Sequence, residues 1–393
     1  MASAINVLHI LNSAHGGSAL STFQLIEELT KLGVSSSLVC FNNADEKQAK
    51  QISDLVEGRI LFIPLYWTNQ RIRVKWWKRP LLELYTSLKT FRGHRFQKEI
   101  DGFIKKNRIN IIHTSTLVNP EGAIAAKRNS LPHVWHAREL VGPKTYYHFA
   151  NYKKWSLYIS TNSNVLIANS SITRANLLNY FTEDKIVIVS NGIDITSFQK
   201  KKHLQVVPRI VGMVGNVTSR VKNHKFFIKT AFSFLNKIDT EVEFRIYGAL
   251  PEKNEPYFQS LNEMISKLGL DKVVKFEGHK APAEIMKEID VLFHPTGLES
   301  FGRIFIEAMA GGIPIVAANE GGAKELVKPE LNGYLVNENN VAEAAEKISV
   351  LLRSSDLRNA MGAEGRKRVE EKYTLSLTAE KILSIYRNQL HIH

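Results

Sequence analysis

His294-Pro295-Thr296-Gly297-Leu298-Glu299-Ser300-Phe301-Gly302-Arg303-Ile304-Phe305-Ile306-Glu307-Ala308-Met309-Ala310 is the stretch on which the reading of this chain turns. The apolar run Asp290-Val-Leu-Phe-His294 leads into it and predicts a buried parallel strand; the pattern leading out predicts a helix. Between them Ser300, Phe301 and Gly302 set backbone N–H groups at a helix start, where unpaired donors and the helix dipole favour a phosphate. Glu299 then falls in the loop and Glu307 on the first turns of the helix. Two carboxylates so placed can grip hydroxyl-rich groups on either side of a diphosphate.

Outward from this stretch the same alternation repeats. Strands are predicted at Val7–Leu11, Ser37–Phe41, Ile60–Ile63, Ile109–His113, His133–His136, Val165–Ala168 and Ile186–Ser190, then at Ile210–Val214, Glu243–Tyr247, Val273–Glu277, Val291–His294, Pro314–Ala317 and Tyr334–Val336. Amphipathic helical stretches fall between them, among them Ser18–Leu32, Ser171–Tyr180 and His224–Leu235. Two successive sets of alternating strand and helix predict an α/β chain of two Rossmann-like, doubly wound parallel-sheet domains. A length of 393 residues is too great for one ordinary core and agrees. The basic stretch Phe198–Pro208 reads as the join, giving domains over 1–200 and 208–373, with a helix over 374–393 packing back across them. Ligands of open parallel sheets bind beyond the carboxyl ends of the strands, so the cleft between the domains is the expected site.

Composition narrows the class. The chain is 44% hydrophobic and 23% charged, as a globular protein is. No apolar run reaches the roughly 18–20 residues of a membrane span, and the first residues read as a strand, not a signal peptide. Cys40 is the single cysteine, so no internal disulfide or Cys-rich metal site forms, and a cytosolic location fits. The net charge of +14 is concentrated: residues 71–108 hold twelve Lys and Arg against Glu83, Glu99 and Asp101. Arg71, Arg73, Lys75, Lys78 and Arg79 interleave there with Trp76 and Trp77, which suggests an anionic acceptor or the inner leaflet of a membrane. Nucleic acid competes as the partner, and a solvated basic helix with core-covering Trp residues is the plain alternative.

Four further elements could carry chemistry. Gly16-Gly17 follows the first strand, where glycines let backbone approach a ligand; it is not the G-x-G-x-x-G fingerprint, which disfavours a nicotinamide cofactor. Arg220 and Lys222, in the loop after Gly215-Asn216, could neutralise a departing diphosphate, or could be ordinary surface charge. His136 ends a strand and could hydrogen-bond a hydroxyl, though a structural role is as common. Gly321-Gly322 opens another helix and suits either a turn or a site. Neither zinc spacing nor an acidic cluster for magnesium occurs, so no cofactor and no obligate metal are expected.

Taken in order, Gly16-Gly17, Ala168-Asn-Ser-Ser171, Asn191-Gly192-Ile-Asp194, Gly215 with Lys222, Tyr247-Gly248, Phe276-Glu-Gly278, Glu299-Ser-Phe-Gly302 with Glu307-Ala-Met-Ala310, Gly321-Gly322 and Asn332-Gly333 resemble glycosyltransferase family 4, retaining enzymes of the GT-B fold. The resemblance covers most of the chain. It implies that Glu307 holds the ribose and Glu299 the hydroxyls of the transferred sugar. Ser300, Phe301 and Gly302 would offer backbone amides, and Lys222 would contact the diphosphate. Gly16 and Gly17 would lie near the donor phosphate or acceptor, and His136 would touch the donor sugar near its reacting carbon. Gly278-His279-Lys280 would lie at the base. Many members carry arginine where this chain has Asn216, and Arg220 is the candidate to replace that charge. The implied activity is metal-independent, retaining transfer from a nucleoside diphosphate sugar, read as UDP-linked, to a saccharide or lipid-linked acceptor in surface-polysaccharide or glycolipid assembly. Rivals are a sugar-nucleotide 2-epimerase of the same fold and a non-catalytic nucleotide-sugar or nucleic-acid binder.

Overall fold

The computed structural model describes residues 4–41, 46–63, 96–142, 152–202, 209–218, 220–235 and 241–392. They form two compact units. The first runs through Gly192 and also takes the chain from Leu375 onward; the second is Ile193–Thr374. Arg71, Arg73, Lys75, Trp76, Trp77, Lys78 and Arg79 lie outside the described residues.

Unit 1 holds a seven-stranded parallel sheet in the order β3-β2-β1-β4-β5-β6-β7. Its strands are β1 (Asn6–Leu11), β2 (Ser35–Phe41), β3 (Ile60–Ile63), β4 (Ile111–Thr114), β5 (His133–Ala137), β6 (Val165–Ala168) and β7 (Ile186–Ile188). Unit 2 holds six parallel strands in the order β10-β9-β8-β11-β12-β13. They are β8 (Arg209–Val214), β9 (Val242–Tyr247), β10 (Val274–Gly278), β11 (Val291–His294), β12 (Ile315–Ala318) and β13 (Gly333–Val336). Strands such as β4, β11 and β12 are buried along their whole length, which is why their sequences are apolar runs and do not alternate. In each sheet the strand order reverses beside the unit's first strand: between β1 and β4, and between β8 and β11. At such a reversal the helices leave to opposite faces and open a crevice past the carboxyl ends. The loops bordering those crevices are therefore the ones after β1 and β4 in unit 1, and after β8 and β11 in unit 2.

The division between units comes before the basic stretch that reads as a join. Ile193 donates its N–H to Tyr373 O at 3.0 Å, and both Ile193 and Phe198 are buried in the core of unit 2. Lys201, one of three consecutive lysines, bonds Glu288 O (2.9 Å) and Ile289 O (2.8 Å), carbonyls left over at the end of the helix Pro282–Glu288. Charge that looks like linker is thus used to finish a helix. The helix Leu375–Gln389 is part of unit 1. Its Ala379, Ile382, Leu383 and Tyr386 share a core with Val7, Leu25, Leu29 and Ile111. Burying each large apolar side chain contributes about 2 kcal/mol. Thr378 Oγ1 also donates to Ser190 O at 3.0 Å.

Candidate active site

Two of the expected residues meet at the crevice of unit 2. β8 ends in Gly215, and the chain then makes a single 3-10 turn, Arg220–Lys222, before the helix His224–Leu235. β11 ends in His294, and the loop that follows carries Glu299. Lys222 Nζ donates to Glu299 Oε1. A Cβ on Gly215 would sit 2.8 Å from Lys222 Cγ, so the glycine makes room for the lysine stem. Burial pushes the Glu299 carboxyl pKa up, but the Lys222 charge and the adjacent His294 outweigh it and hold the group far below the usual carboxylate range. His294 is fully buried, with Nε2 3.4 Å from Glu299 Oε1. That contact is electrostatic, since neither ring nitrogen is aligned for a hydrogen bond. Burial lowers the His294 pKa, against the pull of Glu299.

The helix Arg303–Gly311 starts beside this pair. Gly302 is its N-cap, with φ 80°, a left-handed conformation that glycine adopts without strain, and no side chain caps the helix. An uncapped start keeps partial positive charge available. Phe301 is buried in the core against Tyr373 and Phe305, so at this point only its backbone can serve a ligand. Glu307 is buried one turn into the helix, and Arg303 Nε donates to its Oε1 at 2.7 Å. The loop before the helix rests on Gly321-Gly322. Gly322 N donates to Glu299 O at 2.9 Å, and a Cβ on Gly322 would lie 2.1 Å from Phe301 O. This second Gly-Gly pair therefore props the Glu299 loop.

Other expected residues are engaged elsewhere in unit 2. Asn216 Oδ1 accepts from Ala249 N at 3.0 Å and ties the loop after β8 to the one after β9. Arg220 stands over the Tyr257 ring, 5.3 Å from its centroid, and lines a cavity of about 310 Å³ with Asn223, Lys225, Pro256, Tyr257 and Ser260. Gly278 has φ 74°, and its carbonyl accepts from Gly248 N at 2.8 Å. Lys280 is paired with Glu288 at 2.7 Å and Glu277 at 3.2 Å and lies over Tyr247, so its charge is balanced within the protein.

In unit 1, Gly16 has φ 93° and is the N-cap of the 15-residue helix Gly17–Lys31. No side chain caps this helix, and a Cβ on Gly16 or Gly17 would meet open space. His136 lies at the carboxyl end of β5, buried, its Nδ1 3.2 Å from His113 Nε2. Burial, with the Arg138 charge next, lowers its pKa well below the usual histidine value. His113 and Tyr386, which contact each other, and His294 are the members of these clusters that motif spacing gave no role. Their one sequence signal is polarity inside otherwise apolar runs. Among the described residues no group of His, Cys, Asp or Glu is arranged to hold a metal ion. No helix there is long and apolar enough to cross a membrane.

Comparison with known proteins sets this geometry in context. The model for "Glycosyltransferase Family 4" matches residues 15–197 and that for "Glycosyl transferases group 1" matches 194–368. The poly(ribitol-phosphate) alpha-N-acetylglucosaminyltransferase of Staphylococcus aureus is 27% identical over 242 residues, 60% of this chain and 47% of the relative. The capsular polysaccharide biosynthesis glycosyltransferase CapM of the same species is 27% identical over 226 residues, 54% of this chain and 58% of CapM. The chain spans about half the length of these curated relatives. In structure it is similar to Anabaena HepE, solved in complex with UDP, with a TM-score of 0.78 and 21% identity over 98% of this chain and 100% of that one.

Proposed function

The chain belongs to the family 4, group 1 glycosyltransferases and has their GT-B fold of two parallel-sheet α/β units; from that premise we propose that it moves a sugar from a nucleoside diphosphate sugar, read as UDP-linked, to a saccharide hydroxyl. One observation carries the proposal: the Glu299 carboxylate, held ionised by Lys222, beside the uncapped start of the helix Arg303–Gly311. Ionised, Glu299 is an acceptor for sugar hydroxyls. Lys222 has three N–H donors, and Glu299 occupies one, leaving others for a diphosphate. The helix start adds backbone amides at Ser300, Phe301 and Gly302, and Glu307, oriented by Arg303, takes the ribose. In unit 1 the uncapped helix start at Gly16 and Gly17 offers backbone amides to an anionic group of donor or acceptor, and His136 offers a ring nitrogen to a sugar hydroxyl.

The chemistry proposed is retaining transfer in α linkage. The bond from the anomeric carbon to the phosphate oxygen breaks, and a bond to the acceptor oxygen forms on the same face. The acceptor's proton passes to the departing phosphate. The protein contributes positioning and charge stabilisation, and Lys222 with the helix start does for the leaving diphosphate what a metal does elsewhere. The part that the similar protein CapM has in capsular polysaccharide biosynthesis and the basic, tryptophan-containing segment favour an anionic or lipid-linked saccharide acceptor in polysaccharide assembly. Replacing Arg71, Arg73, Lys75, Lys78 and Arg79 with Gln should weaken binding to anionic liposomes; unchanged binding removes the membrane part of the proposal.

A thermal-shift screen of nucleoside diphosphate sugars, followed by donor hydrolysis and product analysis, tests the central reading. Glu299→Gln should lower turnover by about 10²–10³-fold, the usual cost of removing one preorganised polar group. Undiminished turnover in that variant, or a 2-epimer formed from donor alone, would sink it.

A further inference from the structure

His9, His113 and His136 lie on the neighbouring strands β1, β4 and β5, with His9 and His113 directly opposite in register, and all three are buried. Tyr386, fully buried on the helix Leu375–Gln389, closes the line. Its hydroxyl oxygen is 2.5 Å from His113 Nδ1, and His113 Nε2 is 3.2 Å from His136 Nδ1. The planes of the His113 and His136 imidazoles are within 25° of each other and their centroids are 5.3 Å apart, so the rings meet edge to edge through these two nitrogens. His136 Nε2 is buried and has no hydrogen-bond partner among the described residues.

Counting protons decides how this line is polarised. A phenol has one O–H, and a neutral imidazole has one N–H and one lone pair. Two arrangements put one proton in each contact. In the first, Tyr386 O–H donates to His113 Nδ1, His113 Nε2–H donates to His136 Nδ1, and His136 bears its own proton on Nε2. In the second, His136 Nδ1–H donates to His113 Nε2 and His113 Nδ1–H donates to the Tyr386 oxygen. The Tyr386 proton then needs another acceptor, and among the described residues the phenol's hydrogen-bond partner is His113. The second arrangement leaves two buried polar groups unpaired, the first only one. Unpaired buried groups are costly, so the first prevails. Positive charge does not enter the line: burial first, then the neighbouring His9 and Arg138, lower the His113 pKa, and burial raises that of Tyr386.

We infer that Tyr386 is a positioning residue: through His113 it fixes His136 as the Nε2–H tautomer, a hydrogen-bond donor to a sugar oxygen and not a base. The sugar half of this rests on the transferase reading above; the proton order does not. It gives the His136 role a direction. A neutral imidazole with its lone pair already occupied cannot take the acceptor's proton, which leaves that task to the departing phosphate.

The test is ¹⁵N spectroscopy of the full chain labelled in its histidine rings, with resonances assigned by His113→Asn and His136→Asn. In the parent, His113 and His136 should each show a protonated Nε2 and a bare Nδ1. Tyr386→Phe keeps the ring and removes the donor, so both histidines should become tautomer mixtures. With UDP-glucose as probe, this variant should turn over about tenfold more slowly, the loss of one well-placed hydrogen bond. A protonated Nδ1 at either histidine in the parent, or unchanged tautomers in Tyr386→Phe, overturns the inference. A parent with the stated tautomers that turns over no nucleoside diphosphate sugar would instead refute the transferase reading, and with it only the sugar-facing half.

Discussion

Replacing His9 with phenylalanine should make this protein less sensitive to acid, by an amount that follows from burial. His9 is fully buried on β1; desolvation first, and the Arg138 charge second, lower its pKa from 6.5 to about 3. Between those values the unfolded chain binds a proton that the folded chain refuses. Stability therefore rises with pH across this window, and it is lost as pH falls below 6.5. At pH 5 the shortfall is about 1.5 pH units below the unfolded value, or about 2 kcal/mol. His133, lowered to about 4 by burial, is refused its proton in the same way, as are His113 and His136, both held well below their ordinary value. His9 and His133 together cost about 4 kcal/mol at pH 5, and His113 and His136 add to that cost in the same direction, against a typical net stability of about 5–15 kcal/mol.

The assay is urea unfolding of parent and His9→Phe at pH 7 and pH 5, a range in which ordinary carboxylates stay largely ionised. Whatever the substitution costs at pH 7, the stability difference should shift by about 2 kcal/mol in favour of the variant at pH 5. His224 and His294 in unit 2, both lowered by burial, add acid sensitivity of the same sign, but they cancel in the difference. A difference that does not change with pH would mean that folded His9 accepts a proton, and the reasoning would be wrong.

Lys222→Met removes the largest charge opposing burial at Glu299 and leaves only His294 against it, so the carboxyl pKa should rise and the residual donor hydrolysis should decline from pH 7 to 5, where the parent's rate is flat in this group; parallel pH–rate profiles would refute the pairing. Gly322→Ala puts a methyl 2.1 Å from Phe301 O and should destabilise the chain by about 1–3 kcal/mol in urea titrations, with loss of donor binding, because it lifts the loop that carries Glu299. Arg220→Ala should weaken donor binding about tenfold in calorimetry if Arg220 replaces the charge absent at Asn216; unchanged affinity would confine Arg220 to Tyr257 and its cavity.

Local signals carried the fold. Val165–Ala168 and Val291–His294 coincide residue for residue with strands read from the sequence, because buried parallel strands must be short apolar runs bounded by turn formers, and His224–Leu235 coincides with a helix read from its amphipathic period. The same logic misled at the join. Lys200, Lys201 and Lys202 look like solvated linker, yet Lys201 completes a helix end in unit 2, which only the fold of that unit reveals. Spacing likewise singled out Lys222, Glu299 and Glu307 as candidates but treated each as waiting for a ligand. It gave no sign that Lys222 and Glu299 satisfy each other, since they are 77 residues apart and meet only because β8 and β11 are neighbours across the strand-order reversal. The Tyr386–His113 contact spans 273 residues and depends on the final helix returning to unit 1. Motifs record what a ligand touches. The groups that hold those motifs in one protonation state and one orientation are scattered by topology, and a residue such as Tyr386 is invisible until the sheet order brings it home. That asymmetry also bears on substitution: under the proposed function, Glu299 and Lys222 are the positions to change for the loss of a contact, whereas Tyr386 and Gly322 are those to change for the loss of its direction.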